Sequence, residues 1–393
     1  MLKRHITPQL ARLAAQFPVV TILGPRQSGK TTLARAAFPK HEYLNLELPP
    51  VRLAAQSDAV GFFKAHPAPL ILDEVQHVPE LLSYVQVMAD EQKRKGAFIL
   101  TGSHQPRLAA GITQSLAGRT GLLRLLPFSI AELSDAGVSL ERDEYLHRGF
   151  MPGVHADGVA PELFYRSYYQ TYVERDVRQL INITSQRAFE TFVRLLAGRV
   201  GQVVNLSSLA GDAGVSSTTL ASWLSVLEAS FIVFRLPCYF NNFGKRLVKA
   251  PKIYFTDVGL AAWLLGIETP AQAARDPLFG GLFENMVVAE ALKTRLNAGR
   301  EPELYYFRDQ HGLEVDLVVN KGRRRLPVEI KAGMTYDPSF ARNLRNFLKL
   351  TDAAESPVVL YGGEQEALTD GVSYANFKET ARIIAKFDGR SDR

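Results

Sequence analysis

The stretch GPRQSGKT, Gly24 to Thr31, is bounded by glycines and ends in a lysine and a hydroxyl; the β-branched run Val19–Leu23 precedes it and a helical pattern follows. A loop of this composition turns its backbone N–H groups inward around a β-phosphate, and its glycines permit the close approach. Lys30 is then placed for the β- and γ-phosphates and Thr31 for Mg²⁺, with the positive end of the helix facing the phosphates. The expected cofactors are ATP and Mg²⁺, held by Gly24, Pro25, Arg26, Gln27, Ser28, Gly29, Lys30, Thr31 and Thr32. PLILDE, Pro69 to Glu74, reads as a buried strand ending in two carboxylates: Asp73 to hold the Mg²⁺ shell and Glu74 to polarise the attacking water. AFILTGS, Ala97 to Ser103, reads as a third apolar strand that ends in polar residues, with Ser103 or Thr101 to orient that water. In SLAGR, Arg119 has two readings, a finger for the γ-phosphate of a neighbouring subunit in a homo-oligomer or an ordinary surface arginine.

A second set lies near the C-terminus. EVDLVVNKGRRRLPVEIKAG, Glu314 to Gly333, alternates as two strands about a basic turn, with Glu314 and Asp316 on one face and Glu329 and Lys331 sharing a face of the next strand. Two carboxylates on neighbouring strands with a lysine two residues beyond the second resemble the PD-(D/E)xK nuclease superfamily. The resemblance implies Mg²⁺ on Asp316 and Glu329, Lys331 to position or activate water, and Glu284 as the acid of the preceding helix. The proline that leads the superfamily pattern is missing, since Val315 precedes Asp316. Cutting a phosphodiester needs metal charge on the phosphate and a metal-activated hydroxide, and Mg²⁺ takes a few carboxylates with several waters. The other reading is a domain of this fold that only binds nucleic acid or partner chains. Arg323 to Arg325, on the turn, are placed to meet a DNA backbone.

The elements that position these residues follow from pattern. Three buried strands separated by helical stretches imply a parallel sheet with ligand at the strand C-termini. After Pro152 the chain reads as long helices, and Phe164, Tyr165, Tyr168, Tyr169 and Tyr172 recur at helical spacing, as interior or interdomain packing does more often than a base-stacking platform. ERDVR, Glu174 to Arg178, alternates in sign as a solvated, salt-bridged face does, with Arg175 or Arg178 as the alternative lid contact to nucleotide. From Gln202, Asn205 or Ser207 caps a short helix, Gly214 turns, and Ser216 caps a second helix through Glu228; two strands follow, joined by a basic stretch. This is a helix-turn-helix with a wing. Its second helix has no Lys or Arg and offers Ser, Thr and Trp223, so phosphate affinity falls to the wing residues Lys245, Arg246, Lys249 and Lys252. The alternative is a winged helix that mediates protein contact. Pro277 opens the last region, where Glu284 lies in the first turn of an amphipathic helix and three strands follow at 303–308, 313–319 and 326–331.

GPRQSGKTTL, LILDEVQHVPEL, FILTGS and SLAGR together resemble the bacterial and archaeal AAA-type ATPases that carry a C-terminal domain of unknown function. YQTYVERDVRQL, PKIYFTDVGLAAWLLG and GLFENMVVAEAL extend the resemblance over nearly the whole chain. It implies ATP binding and hydrolysis, and marks Arg26 and Gln27 as characteristic positions.

Size and composition fit this. A chain of 393 residues suggests two or three domains, and 46% hydrophobic with 22% charged residues is the balance of a soluble globular protein. No run of about 18 apolar residues is present, so no membrane span is expected. The basic N-terminus leads straight into a strand and loop without an apolar signal core, which gives a cytoplasmic expectation. A lone cysteine, Cys238, excludes intramolecular disulfides and Cys-based zinc sites. Net charge is +6 and pI near 9.2, which favours anionic partners weakly. The expected architecture is α/β: an AAA-type P-loop NTPase parallel-sheet domain at 1–150, a helical linker or lid at 151–200, a winged helix at 201–272 and a restriction-endonuclease-like domain at 273–393. The expected function is a Mg²⁺-dependent ATPase coupled to a DNA-directed and nuclease-like module. The alternatives are an ATP-driven DNA motor or junction remodeller without cleavage, and a signalling ATPase whose C-terminal domain binds protein.

Overall fold

The computed structural model describes residues 2–103, 114–177, 185–239, 250–351 and 355–389, the side chains of 174–176 excepted. Two compact units divide the chain. The first comprises Met1–Phe128 with Ala229–Phe231 and Leu296–Arg300, and the second holds the remainder.

The first unit is built on five parallel strands, β1 (Val19–Leu23), β2 (Glu42–Asn45), β3 (Leu70–Asp73), β4 (Phe98–Gly102) and β5 (Thr120–Arg124), in the order β2-β3-β4-β1-β5. The three strands expected from their apolar runs are the central ones, and every residue in them is buried. Alternate residues serve opposite faces: Val19, Leu70, Leu72, Phe98 and Leu100 join one core, while Val20, Ile22, Ile71 and Ile99 join the other. Helices on both faces explain why these strands are apolar throughout instead of alternating. The register sets Leu23 beside Gly102, and β3 ends at Asp73, so the loops after β1, β3 and β4 leave the sheet at one end. The helix Lys30–Ala37 starts directly from the loop after β1.

The second unit contains the helical middle of the chain and the C-terminal sheet. The helix Pro161–Tyr168 widens into a π-helical stretch over Tyr169–Val177, and the five aromatic rings along it are buried. Phe164 stacks on Tyr168 at 5.9 Å and Tyr168 meets Tyr172 edge-on at 5.4 Å, so the row packs the interior. Asn205 Oδ1 accepts from the Ser207 and Ser208 N–H groups to cap Leu206–Ala213, Gly214 turns at φ 69°, and Ser216 Oγ accepts from Thr219 N–H at 3.0 Å at the start of Ser217–Ala229. Trp223 does not lie on the outer face of that helix. It is buried against Phe189 and Phe192, because an indole gains more from apolar burial than a surface position offers. β6 (Val233–Leu236) and β7 (Lys252–Phe255) pair antiparallel after it. Lys245, Arg246, Lys249 and Arg178 lie outside the described residues, as does the side chain of Arg175.

The C-terminal sheet has six strands: β8 (Leu304–Arg308), β9 (Glu314–Lys321), β10 (Arg324–Lys331), β11 (Val358–Tyr361), β12 (Ala367–Thr369) and β13 (Val372–Asn376), in the order β12-β13-β11-β10-β9-β8. β8, β9 and β10 form an antiparallel meander, whereas β10, β11 and β13 run parallel. The turn between β9 and β10 is only Gly322–Arg323, so Arg324 and Arg325 belong to the strand. There Arg324 pairs with Glu355, and Arg325 donates to the Tyr239 hydroxyl, which takes both out of the turn expected to meet DNA. The helix Phe279–Asn297 is buried nearly all round, not amphipathic, and Glu284 sits in its second turn. Its interior acid Glu290 accepts from the N–H groups of Ile130 and Ala131, capping the helix Ile130–Asp135.

Candidate functional site

In the first unit the loop after β1 bends through two left-handed residues, Gln27 at φ 60° and Gly29 at φ 91°. Gly24 is required by space, since a Cβ there would lie 2.1 Å from the Leu125 carbonyl oxygen. The Lys30 ammonium folds back across the loop and donates to the carbonyls of Gly24 at 3.1 Å and Pro25 at 2.8 Å. Ser28 Oγ donates to the same Pro25 carbonyl at 2.9 Å. Burial lowers the Lys30 pKa, and the carboxylates of Glu74 and Asp73 oppose that shift.

The Asp73 carboxylate gathers three hydroxyls. Thr31 Oγ1 lies 3.0 Å from both of its oxygens, the Tyr43 hydroxyl donates at 2.7 Å, and Thr101 Oγ1 donates as well. Hard oxygen donors from Thr31 and Asp73 meeting at the end of the phosphate loop fit Mg²⁺: these two side chains would hold the ion, which would supply charge to the phosphates. Glu74 adopts a left-handed conformation at φ 56°. Its carboxylate accepts from Gln76 Nε2, which also donates to Ser103 Oγ at 3.2 Å. The two polar residues proposed to orient water therefore divide: Thr101 is tied to Asp73, and Ser103 is linked through Gln76 to Glu74. Thr32 is exposed, and Arg26 reaches Glu47 at 3.4 Å. Arg119 makes a two-pronged pair with Asp90, at 2.6 and 2.9 Å.

Sequence reasoning missed two residues of this site. Tyr43 sits on the edge strand β2 and had no motif around it; Arg35 stacks over its ring at 4.8 Å. Arg4 read as one charge in a basic N-terminus, yet it is buried, donating to the carbonyls of Ser28 at 2.8 Å and Leu126 at 2.6 Å and lying over Phe128. It pins the phosphate loop from behind. Arg4→Ala is expected to destabilise the chain by roughly 1.5–3 kcal/mol, the worth of hydrogen bonds from a charged donor, and to raise KM for ATP. Thermal unfolding and ATPase kinetics check this; wild-type values in both would show that the guanidinium does not hold the loop.

In the second unit, β9 and β10 bring Asp316, Glu329 and Lys331 together. Lys331 Nζ lies 2.7 Å from Glu329 Oε1 and 4.0 Å from Asp316 Oδ2, while Asp316 Oδ2 accepts from the Ile330 N–H at 2.8 Å. Glu329 is 2% exposed and its Oε2 has no hydrogen-bond partner. Burial and the neighbouring Asp316 push the Glu329 pKa up to about 8, with Lys331 opposing. Glu284 is pushed up to about 7 by burial and Asp316, with Lys252 opposing. Lys252, expected on a solvent-facing wing, is buried. Its Nζ pairs with Glu284 at 2.8 Å and Glu314 at 2.6 Å, since an ammonium withdrawn from water needs carboxylate partners. Tyr254 also donates to Glu284, and Arg308 approaches Glu314 at 3.5 Å. Among the described residues no three His, Cys, Asp or Glu side chains come close enough to hold a metal ion. Asp316 and Glu329 are therefore a pair, and Glu284 is turned toward Lys252.

Comparison with known proteins identifies the regions of the chain. An AAA domain matches residues 16–134, a domain of unknown function (DUF8612) matches 140–271, and a domain of unknown function (DUF4143) matches 279–379. Uncharacterized protein Rv2008c of Mycobacterium tuberculosis and Uncharacterized protein Mb2031c of Mycobacterium bovis are each 32% identical over 377 residues, covering 94% of this chain and 82% of theirs. Among solved structures, the Walker-type ATPase paby2304 of Pyrococcus abyssi aligns over 67% of this chain and 96% of its own, at 15% identity and a TM-score of 0.45. Among the described residues no helix is long and apolar enough to cross a membrane. With an AAA domain around its phosphate loop and that likeness to the mycobacterial proteins along nearly its whole length, the chain belongs to their family, as a P-loop ATPase of the AAA type with a C-terminal DUF4143 domain.

Proposed function

We propose that the chain is a Mg²⁺-dependent ATPase whose nucleotide cycle governs a DNA-directed module, and that this module cuts phosphodiester bonds at Asp316, Glu329 and Lys331. The observation that carries the reading is the convergence of those three side chains, with Lys331 Nζ 2.7 Å from one carboxylate and 4.0 Å from the other. Glu329 Oε2, buried and without a partner, is the atom a cation would satisfy. A divalent ion there would supply charge to the phosphate and a hydroxide at neutral pH. The chain's own residues do the rest: the Ile330 N–H orients Asp316, burial excludes bulk water from Glu329, and the Lys331 ammonium stands where it can hold the attacking water.

The helix-turn-helix, Leu206–Ala213 and Ser217–Ala229, together with a net charge of +6, supports DNA as the partner. A second reading is a motor or remodeller that does not cleave. It is favoured by the pairing of Glu284 and Glu314 with Lys252, which leaves only Asp316 and Glu329 for an ion. DNA binding by either route is expected to weaken steeply with salt, by about 10³-fold or more between 50 and 200 mM if six or more phosphates are contacted. Anisotropy of a labelled duplex and a labelled single strand across a salt series measures it. No binding at the lowest salt would favour a protein-directed switch and sink both DNA readings.

A further inference from the structure

Lys252 has no part in the chemistry above, yet it is built into the same cluster. Four carboxylates gather there, Glu284 from the helix Phe279–Asn297, Glu314 and Asp316 from β9, and Glu329 from β10. Two lysines divide them. Lys331, with 36% of its side chain exposed, serves Asp316 and Glu329; Lys252, with 2% exposed, serves Glu284 and Glu314 at 2.8 and 2.6 Å. Their surroundings differ in kind. Lys252 arrives from β7, backs onto the Tyr306 ring at 5.5 Å, and has two carboxylates at hydrogen-bond distance. On the other side Glu329 Oε2 is buried with no partner, although Lys331 is close to the same carboxylate.

We propose that Lys252 is a built-in cation of this site: it fills the position between Glu284 and Glu314 that a divalent ion would otherwise take, leaving one ion position, on Asp316 and Glu329. The proposal rests on reading Asp316 and Glu329 as divalent-ion ligands. Two oxygens from separate carboxylates, each within 2.8 Å of one point, form the kind of hard, anionic setting that binds Mg²⁺ or Mn²⁺. An ammonium at that point satisfies both carboxylates and repels a second cation. Unlike a bound ion it is covalently fixed and does not exchange. It also ties the strand β7 to the carboxylate site, so the spacing between Glu284 and β9 is set by the protein without metal.

Counting Mn²⁺ ions bound to the nucleotide-free full chain, by the electron paramagnetic resonance of free Mn²⁺, tests this. Lys252→Met is expected to bind one ion more than wild type, Lys252→Arg the wild-type number, and Asp316→Asn one fewer. The nucleotide site contributes equally to all four proteins and cancels in the differences. Equal counts for Lys252→Met and wild type, with the loss in Asp316→Asn intact, would overturn the role of Lys252 and leave the Asp316 reading standing. A gain in Lys252→Met with no loss in Asp316→Asn would sustain Lys252 and remove the ion from Asp316 in the native chain. Neither change would overturn both. If Lys252→Met unfolds without metal, its melting temperature in Mn²⁺ gives the answer: recovery toward wild type supports the substitution of one cation by another, and no recovery overturns it.

Discussion

Lys30→Ala is expected to lower ATP turnover by at least about 10²-fold, the scale for removing one positioned donor from developing transition-state charge. The structure gives the reason in detail. The ammonium is buried and held by two loop carbonyls, Gly24 and Pro25, at the mouth of the helix Lys30–Ala37. Burial lowers its pKa, and the Asp73 and Glu74 carboxylates oppose that, which favours the charged form that phosphate oxygens need. Methionine of similar length at position 30 should lose the same activity while keeping more of the packing, which separates charge from folding. Phosphate release by the purified full chain measures the effect. Turnover equal to wild type in either variant would show that the loop is not the hydrolytic site.

How much of this was legible depends on how local the determinants are. The phosphate loop, Asp73 and Glu74 were readable because a strand, a turn and a helix start need only neighbouring residues. The central strands β1, β3 and β4 were readable for the same reason: each is an unbroken apolar run buried on both faces. The edge strands β2 and β5 were not, since they keep exposed residues and resemble loops. Arg4 and Tyr43 were invisible because their partners are distant in sequence, Leu126 by 122 residues and Asp73 by 30. No spacing rule connects them.

Lys252 shows the opposite failure, in which a local pattern was read and tertiary structure overrode it. KRLVKAPK looks like a basic wing, and its last lysine belongs to a strand whose residues are all buried. What reverses the expectation is Glu284 and Glu314, 32 and 62 positions on, neither of which carries a mark of pairing with position 252. The helix Phe279–Asn297, expected to be amphipathic, misled in a similar way: its charged residues Glu290, Lys293 and Arg295 are buried with partners. By contrast, the two carboxylates and lysine on β9 and β10 were readable, since strand alternation and a short turn bring them together.

Asp316→Asn and Lys331→Ala are each expected to reduce Mg²⁺-dependent DNA cutting by at least about 10²-fold, while ATP turnover is unchanged, because neither residue belongs to the phosphate loop. Asparagine keeps an acceptor for the Ile330 N–H and removes the charge that, after burial, raises the pKa of Glu284 and Glu329, although it also takes a counter-charge from Lys331 and Lys252; a melting temperature near that of wild type shows that the variant is folded. A loss of cutting would then come from the lost ligand and not from unfolding. The same charges fix the pH dependence. Glu329 near 8 and Glu284 near 7 hold protons below those values, and a divalent ion competes with them for the oxygens. Ion binding should therefore release protons, and the cutting rate should rise from pH 6 to pH 9. For folding without metal the sign is reversed: a carboxyl whose pKa is raised on folding weakens the native state as pH climbs from about 4.5 toward its folded value. Cutting rates and melting temperatures of the metal-free chain should move in opposite directions over that range. If both rise together, the raised carboxyls do not set the stability of the metal-free chain; if wild type cuts neither duplex nor single-stranded DNA with Mg²⁺ or Mn²⁺ at about pH 9, Asp316 and Glu329 are not a cleavage site and the ATPase drives some other act.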